Sequence, residues 1–352
     1  MSALPPVCAA RAATYDDLGE VASLLHRVFG VSQEVEVLRW KFGGCAGRLV
    51  GSTVLTNDRR IVGFLGQIPV RVCAAGREIL AAQGADMGIL EEYRRLDTFL
   101  MLIRASILNL EKAGVTLTYG TANADATHTL AALLGQQTVA AVPLLVRPLD
   151  ATIPALILSA FARTAAFVTR CGEASVQAGL RLTRLTRFDD RFDRFWQRTR
   201  NDYPIMLVRD AAYLNWRYVD TAGGRYERIA IEQAASGEIE GYAVLGLTQR
   251  EDRLRGRFCE LVTARFGARH AADALIAASV KWLRAQHADI ADVWMFPHAH
   301  LRFALRQHGF IPRRPGPGGF QASALANGAA AGLQGVDRAD NWFLSLGDSD
   351  TV

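Results

Sequence analysis

A short pattern occurs twice in this chain, and its spacing constrains the fold more than any other feature. "LRWKF" at 38–42 recurs as "LNWRY" at 214–218: leucine, a variable residue, tryptophan, a cation and an aromatic ring. "RRIVGFL" at 59–65 recurs as "GEIEGYAV" at 237–244, and "AALLGQ" at 131–136 as "LRQHGF" at 305–310. Trp40 and Trp216 lie 176 residues apart, Gly63 and Gly241 178, Gly135 and Gly309 174. One match is chance; three in order at nearly one offset indicate a duplicated domain. A length of 352 residues suits two domains of ordinary size. The expected division is an N-terminal domain over 1–149, a helical connector over 150–181, and a C-terminal domain over 182–352. Residues 315–340, rich in Gly, Ala and Pro, read as a flexible loop, followed by a final strand, "NWFLSL".

Each copy reads as the same succession of elements. The first begins with a strand near "ARAAT", a helix "DDLGEVASLLHRVF" with Asp16 or Asp17 near its cap, and a second helix carrying Trp40. Strands follow near 49–56, 60–73 and 78–90, joined by turns at "NDRR" and "AAGRE". A helix over 97–113 stops at Gly114. Strand "VTLTYG", helix "NADATHTLAALL" and strand "TVAAVPLLVRP" complete the copy. The second copy predicts strand 182–187, helix 189–200, the Trp216 helix, and strands near 226–233, 239–248 and 256–264. A helix near 270–286, strand "DVWMF" and helix "HAHLRFALRQH" then close its core.

Composition narrows the function classes. Half the residues are hydrophobic and 21% are charged, as in a soluble globular chain. The net charge is +5, carried almost wholly by scattered arginines; the only lysines are Lys41, Lys112 and Lys281. No basic stripe suggests a nucleic-acid groove, whereas arginine suits an anionic small molecule. The five cysteines are far apart, without a CxxC pair, so they read as free thiols of a reducing, cytoplasmic compartment and not as a zinc site. "HAH" at 298–300 lacks a third metal ligand nearby, and "GDSDTV" reads as a flexible tail. The N-terminus shows no signal pattern, and "ATIPALILSAFARTAAFV" is interrupted by Pro154 and Arg163, so no stable membrane insertion is expected.

The stretch most suggestive of chemistry is "EEYRRLDTF" at 91–99. It follows the strand-like run "AAQGADMGIL" and opens an apolar helix. Strand, short basic turn and helix is a common anion-binding layout, because the first amides of a helix are unpaired and carry partial positive charge.

The repeated order of strand, two helices, antiparallel meander, loop-led helix, strand, helix and strand resembles the GNAT acyltransferase superfamily, twice over. "ILEEYRRLDTFLMLI" is similar to that family's acyl-CoA loop, and "YGTANADATHTLAALLG" to its later strand–Asn–helix–Gly segment. The resemblance implies an α/β (α+β) fold of two domains, each a mixed, mostly antiparallel sheet flanked by helices. It implies acetyl-CoA or another acyl-CoA as co-substrate, and an amine-bearing small molecule or peptide as acceptor. It leaves a homodimer open.

Laid over the family's loop, Arg94 takes the motif's arginine, while Asp97 and Phe99 stand where small residues belong and Glu91 replaces a proline. Asp97 puts a negative charge where a pyrophosphate would sit; alternatively it is the helix N-cap. Gly88, Ile89, Leu90, Arg94, Arg95, Thr98 and Asn123 are the expected cofactor-binding set, with backbone N–H groups near Gly88 and Ile89 facing the thioester oxygen. Asp86, on the strand before the loop, is the expected base. The family's tyrosine acid is replaced by Ala131 in the first copy and Leu305 in the second, leaving Tyr119 and His128 as substitutes. No metal ligand is expected. The second copy's "CELVTARFGARHAADAL" lacks the spacing of the loop, so the first copy is the favoured cofactor site. Two other readings share the fold: a binding or scaffold protein without turnover, and a Fem-like aminoacyl transferase.

Overall fold

A computed structural model describes residues 8–122, 138–149, 177–221, 224–250, 252–266, 268–296, 298–313, 319–330 and 332–350. These residues form two compact units, each built on one sheet. Unit 1 comprises 1–139, 221–223 and 318–338; unit 2 comprises 140–220, 224–317 and 339–352.

Unit 1 starts with β1 (Ala9–Ala12) and a 3-10 turn at Tyr15–Asp17, then α1 (Leu18–Phe29) and α2 (Val35–Gly43). Leu18, Val21, Leu24 and Leu25 recur at helical spacing and form the buried stripe of α1. The helix stops at Gly30, whose φ of 72° allows its N–H to close on His26 O at 2.8 Å. The meander of β2 (Thr53–Asn57), β3 (Arg60–Ala74) and β4 (Arg77–Ile89) leads to α3 (Leu96–Lys112) and β5 (Leu117–Ala122). On β3, Gly66 lies against Phe42 of α2, while Gln67 donates to Ser106 Oγ of α3 at 3.2 Å. Successive strand residues point to opposite faces, so α2 and α3 cover the two faces of the sheet.

The start of unit 1 carries a pH-dependent clasp. Arg11 donates twice to Asp17, at 2.7 Å each, and Thr14 N–H adds a third bond. The Arg11 hydrogen bonds, then the Thr14 bonds, hold the Asp17 carboxyl down to about 2 from its usual 3.8. A depressed carboxylate stabilises above its unfolded pKa, and that contribution is lost as pH falls through about 2. Because the Arg11 side chain is 47% exposed, solvent screening leaves about 1 kcal/mol. Arg11→Ala is expected to lose that amount at pH 7 in urea titrations, the gap from wild type closing near pH 2.

Unit 2 repeats the order. It has β8 (Leu180–Arg184), α4 (Asp190–Thr199), α5 (Ala211–Tyr218), β10 (Glu227–Gln233), β11 (Ile239–Arg250), β12 (Arg253–Thr263), α6 (Arg269–Ala285), β13 (Ile290–Trp294) and α7 (Ala299–Gln307). Tyr242 of β11 packs edge-on against Phe192 and Phe195 of α4, while neighbouring Gly241 faces Leu275 of α6. This is the same two-faced arrangement as at Gly66 and Gln67.

The sheets depart from the sequence expectation at their far edges. "TVAAVPLLVRP" is not one strand but two: β6 (Thr138–Ala140) and β7 (Leu144–Pro148). β7 belongs to the second sheet, ordered β14-β7-β13-β12-β11-β10-β8, with β14 at Ile311–Arg313. Reciprocally, β15 (Gly319–Ala324) pairs with β5 in the first sheet, whose order is β1-β2-β3-β4-β5-β15-β6. The described part of 315–340 therefore contains a half-buried strand and a short helix, α8 (Ala326–Ala330), and is not a structureless loop. The boundary expected at 149 does not follow the sheets. Short strands β9 (Ile205–Leu207) and β16 (Trp342–Phe343), neither separately expected, pair in parallel. "NWFLSL" turns after Phe343 into a 3-10 turn at Leu346–Asp348. Asp348 is 2% exposed, so "GDSD", the described part of "GDSDTV", is not a loose tail. Most of the expected connector lies outside the described residues.

Candidate functional site

In unit 1 the fourth strand leaves its parallel neighbour. β4 pairs β5 only at Ala81↔Leu117, Ala82↔Thr118 and Gln83↔Tyr119. From Gly84 to Ile89 no described strand pairs that edge, while the other edge stays laddered to β3. A register shift between Phe64 and Gly66 marks a bulge, and Asp86 within it has φ 49°. Bulges bend a strand and re-aim its side chains. The result is an open, partly glycine-lined strand edge running into the turn that starts α3.

Alternation along the ladder tells which backbone groups face that edge. Leu90 N–H donates to Val62 O at 2.9 Å and Leu90 O accepts from Tyr93 N–H, so the Leu90 backbone is spent. Antiparallel pairs alternate between hydrogen-bonded and open. Ile89, opposite Gly63, therefore turns its N–H and C=O outward, and Gly88 turns toward β3. Arg94 confirms the direction: its Nε donates to Ile89 O at 2.9 Å. Of the three backbone positions expected to meet a ligand, Ile89 alone presents an amide to the open edge.

The turn itself is a 3-10 turn at Glu91–Tyr93, followed by a cap. α3 is capped by Arg95 and not by Asp97, one of the two roles the sequence left open for it. Thr98 Oγ1 accepts from Arg95 N–H at 3.2 Å and donates to Tyr93 O at 2.6 Å, closing the turn. Asp97 sits one residue inside the helix, where its carboxylate takes two bonds from Arg95, at 3.2 and 3.0 Å. Acidic groups suit a helix N-terminus, which is a physical reason for aspartate here in place of glycine. Arg95, Leu96, Asp97 and Leu100 line a shallow depression beside the turn. Cys8 lies close by; burial, then the Asp97 charge, raises its thiol pKa.

Asp86 does not stand alone. Lys41 Nζ donates to Asp86 Oδ2 at 2.8 Å, with the two side chains only 11% and 16% exposed. The cation of "LRWKF" thus holds the carboxylate of the bulge. Sequence reading missed this pair, although Lys41 is one of just three lysines in an arginine-rich chain. Tyr119 lies on β5, 4% exposed, its ring 5.9 Å from that of Phe320. Asn123 and His128 lie outside the described residues. Among the described residues no cluster of three His, Cys, Asp or Glu could hold a metal, and no helix is long and apolar enough to cross a membrane.

With this geometry, the chain has the fold of the GNAT superfamily, each unit a mostly antiparallel sheet flanked by helices. It is similar to a conserved protein of Enterococcus faecalis V583 described as a probable N-acyltransferase (TM-score 0.64, 10% identity, covering 91% of this chain and 73% of that one). A GCN5-related N-acetyltransferase from Anabaena variabilis matches with TM-score 0.64 and 15% identity over 91% of this chain and 73% of the other. N-myristoyltransferase of Saccharomyces cerevisiae, solved with bound myristoyl-CoA and inhibitors, matches with TM-score 0.60 and 15% identity over 92% and 82%. No protein-family model matches the chain, and no curated sequence does.

Proposed function

We propose that unit 1 binds an acyl-CoA along the open edge of β4 and transfers its acyl group to an amine. The observation that carries this reading is the departure of β4 from β5 at Gln83, leading straight into the N-terminus of the 17-residue helix α3. A strand edge without a neighbour offers unpaired amides to an extended arm, and a helix N-terminus suits phosphates. The structurally similar proteins named above include N-acyltransferases, and one was solved with myristoyl-CoA. In this reading Gly88, Ile89 and Leu90 line the arm, while Arg94, Arg95 and Thr98 hold the phosphate end. Asn123 belongs to the same set by its place in the motif.

The bound thioester would supply an activated acyl carbon. The outward N–H of Ile89 would face the thioester oxygen as it gains charge. Asp86 would take the proton of the attacking amine, with Lys41 positioning its carboxylate. Tyr119 and His128 are the groups assigned to return a proton to the departing thiolate. The acyl group is acetyl or longer, and the acceptor is an amine of a small molecule or peptide. A second reading, binding without turnover, draws on one observation: the Asp86 carboxylate is already engaged by Lys41.

Calorimetric and thermal-shift titration with CoA and acetyl-CoA tests the reading. A ligand at a hundred times its dissociation constant should stabilise by about 2.7 kcal/mol. Absence of binding at millimolar ligand would sink it; binding without thiol release in the presence of any amine would favour the second reading. Asp97→Asn is expected to tighten CoA roughly two- to fivefold, because removing one exposed like charge is worth about 0.5–1 kcal/mol. Unchanged or weaker binding in that variant would place the phosphates elsewhere.

A further inference from the structure

Unit 2 opens its sheet at the same place, and there the opening is filled. The parallel ladder between β12 and β13 stops at Phe258↔Val293, while β12 runs on to Thr263. Into this region comes the segment 342–349 of the same unit. Trp342 and Phe343 pair with Ile205 and Met206 of β9, Ser345 bridges Met295, and Phe296 N–H donates to Leu344 O at 3.1 Å. Every residue from Trp342 to Ser349 is buried.

Two arginines hold the segment. Arg209 Nη2 donates to both oxygens of Asp348, at 2.7 Å each, and to Ser345 Oγ at 3.1 Å. Its Nε reaches Glu260 Oε2 of β12, also at 3.1 Å. Arg217 donates through Nε to Gly347 O at 3.3 Å and through Nη2 to Ser349 O. The fit leaves no slack: a Cβ on Gly347 would stand 2.0 Å from Tyr218 Oη and 2.5 Å from Glu260 Oε1.

At the repeated motif the two units turn a cation to opposite ends. Lys41 of "LRWKF" pairs with a carboxylate on its own sheet, Asp86, and so stays on the wall of the cleft. Its counterpart in "LNWRY", Arg217, clasps the carbonyls of the inserted segment instead. Next to the bulge of its own sheet, unit 2 has Glu260 opposite Val244. This buried glutamate is tied to Arg209, Tyr218 and Ser345, and so anchors the segment from the sheet side.

We infer that unit 2 is a self-liganded copy of the fold: segment 342–349 permanently occupies the slot that in unit 1 receives the acyl-CoA arm, so unit 2 is closed to acyl-CoA. The slot is a peptide site in its own right. It recognises an extended apolar strand ending in a Ser-x-x-Asp turn, with Arg209 for the carboxylate and Arg217 for the carbonyls. The occupancy stands on geometry alone; the statement about acyl-CoA rests on the reading proposed for unit 1.

Two measurements on the unaltered chain separate these parts. Calorimetric titration with CoA and acetyl-CoA is expected to give one site per chain; two sites would overturn the inference, and none would overturn the reading of unit 1. Amide hydrogen exchange decides occupancy whatever the titration gives. The amides of Phe296, Ser345, Asp348 and Ser349 should exchange only with global unfolding, as slowly as the core of β11 and β12, and CoA should leave their rates unchanged. Exchange of these amides a hundredfold faster than that core, or a loss of their protection on adding CoA, would show a segment that leaves its slot, and the inference would fall.

Discussion

Arg209→Ala should be among the most damaging single substitutions in this chain, with an expected loss of about 3–5 kcal/mol. The Arg209 side chain is 1% exposed and faces two carboxylates that are wholly buried, Glu260 at 3.1 Å and Asp348 at 2.7 Å. Burial raises the pKa of Glu260, and the Arg209 charge works against that rise. Removing the guanidinium leaves two uncompensated acids and a cavity; the acids can escape only by taking up protons or by unfolding. Breaking a buried pair is far costlier than replacing the whole group by neutral residues. The triple variant Arg209→Met, Glu260→Gln, Asp348→Asn should therefore recover much of the loss. Guanidinium titrations of the single and triple variants check this. A single-variant loss under 1 kcal/mol would show that the network is dispensable to the fold.

Acid should weaken unit 2 well above the pH at which its carboxylates titrate. His298 lies against the ring of Tyr203, 4.2 Å away, and stacks on that of Phe343, 5.2 Å away and nearly parallel at 5°. Its Nε2 is buried without a hydrogen-bond partner among the described residues. Burial, then the charges of His300 and Arg265, push its pKa down from 6.5 to about 3. The folded state thus favours the neutral ring. Stability is full above 6.5 and falls as pH drops toward 3, because the unfolded chain binds the proton first. At about 1.4 kcal/mol per pH unit, the loss near pH 4.5 is roughly 2.7 kcal/mol. His300, also pushed down by burial, adds to the same limb. Asp202 stands nearby as the carboxylate that accepts from Arg265 N–H at 2.8 Å. His298→Phe keeps the stack on Phe343 and removes the titrating group. Its stability should decline less steeply from pH 7 to pH 5 than that of wild type, with His300 leaving a residual slope; parallel declines would assign the acid limb to other groups.

Much of the fold was legible in the residues because its elements are written locally. The stripe of Leu18, Val21, Leu24 and Leu25 announces α1 at helical period, and Gly30 announces its end. The strands β3, β4, β10, β11 and β12 lie within a few residues of their expected bounds. The position of the turn before α3 was also legible, since strand, basic turn and helix follow one another without a gap. Its chemistry was less so: Asp97 reads either as a charge in the phosphate position or as a cap, and Thr98 and Arg95 do the capping. The signal for that was ambiguous because several polar residues stand side by side at 95–98.

What the sequence by itself determined is the repeated motif, the order of most described elements and the place where a strand gives way to a helix, since each depends on neighbours within a few residues. Only the tertiary structure decided that β7 and β15 join sheets other than those nearest in sequence, that Lys41 holds Asp86, and that 342–349 is packed into unit 2. These depend on partners far along the chain: Arg209 and Asp348 are 139 residues apart, Lys41 and Asp86 45. A polar stretch such as "GDSD" reads as solvated until a buried arginine is seen to meet it. Whether a charge lies in water or in a core is a property of what surrounds it, and no local pattern records that.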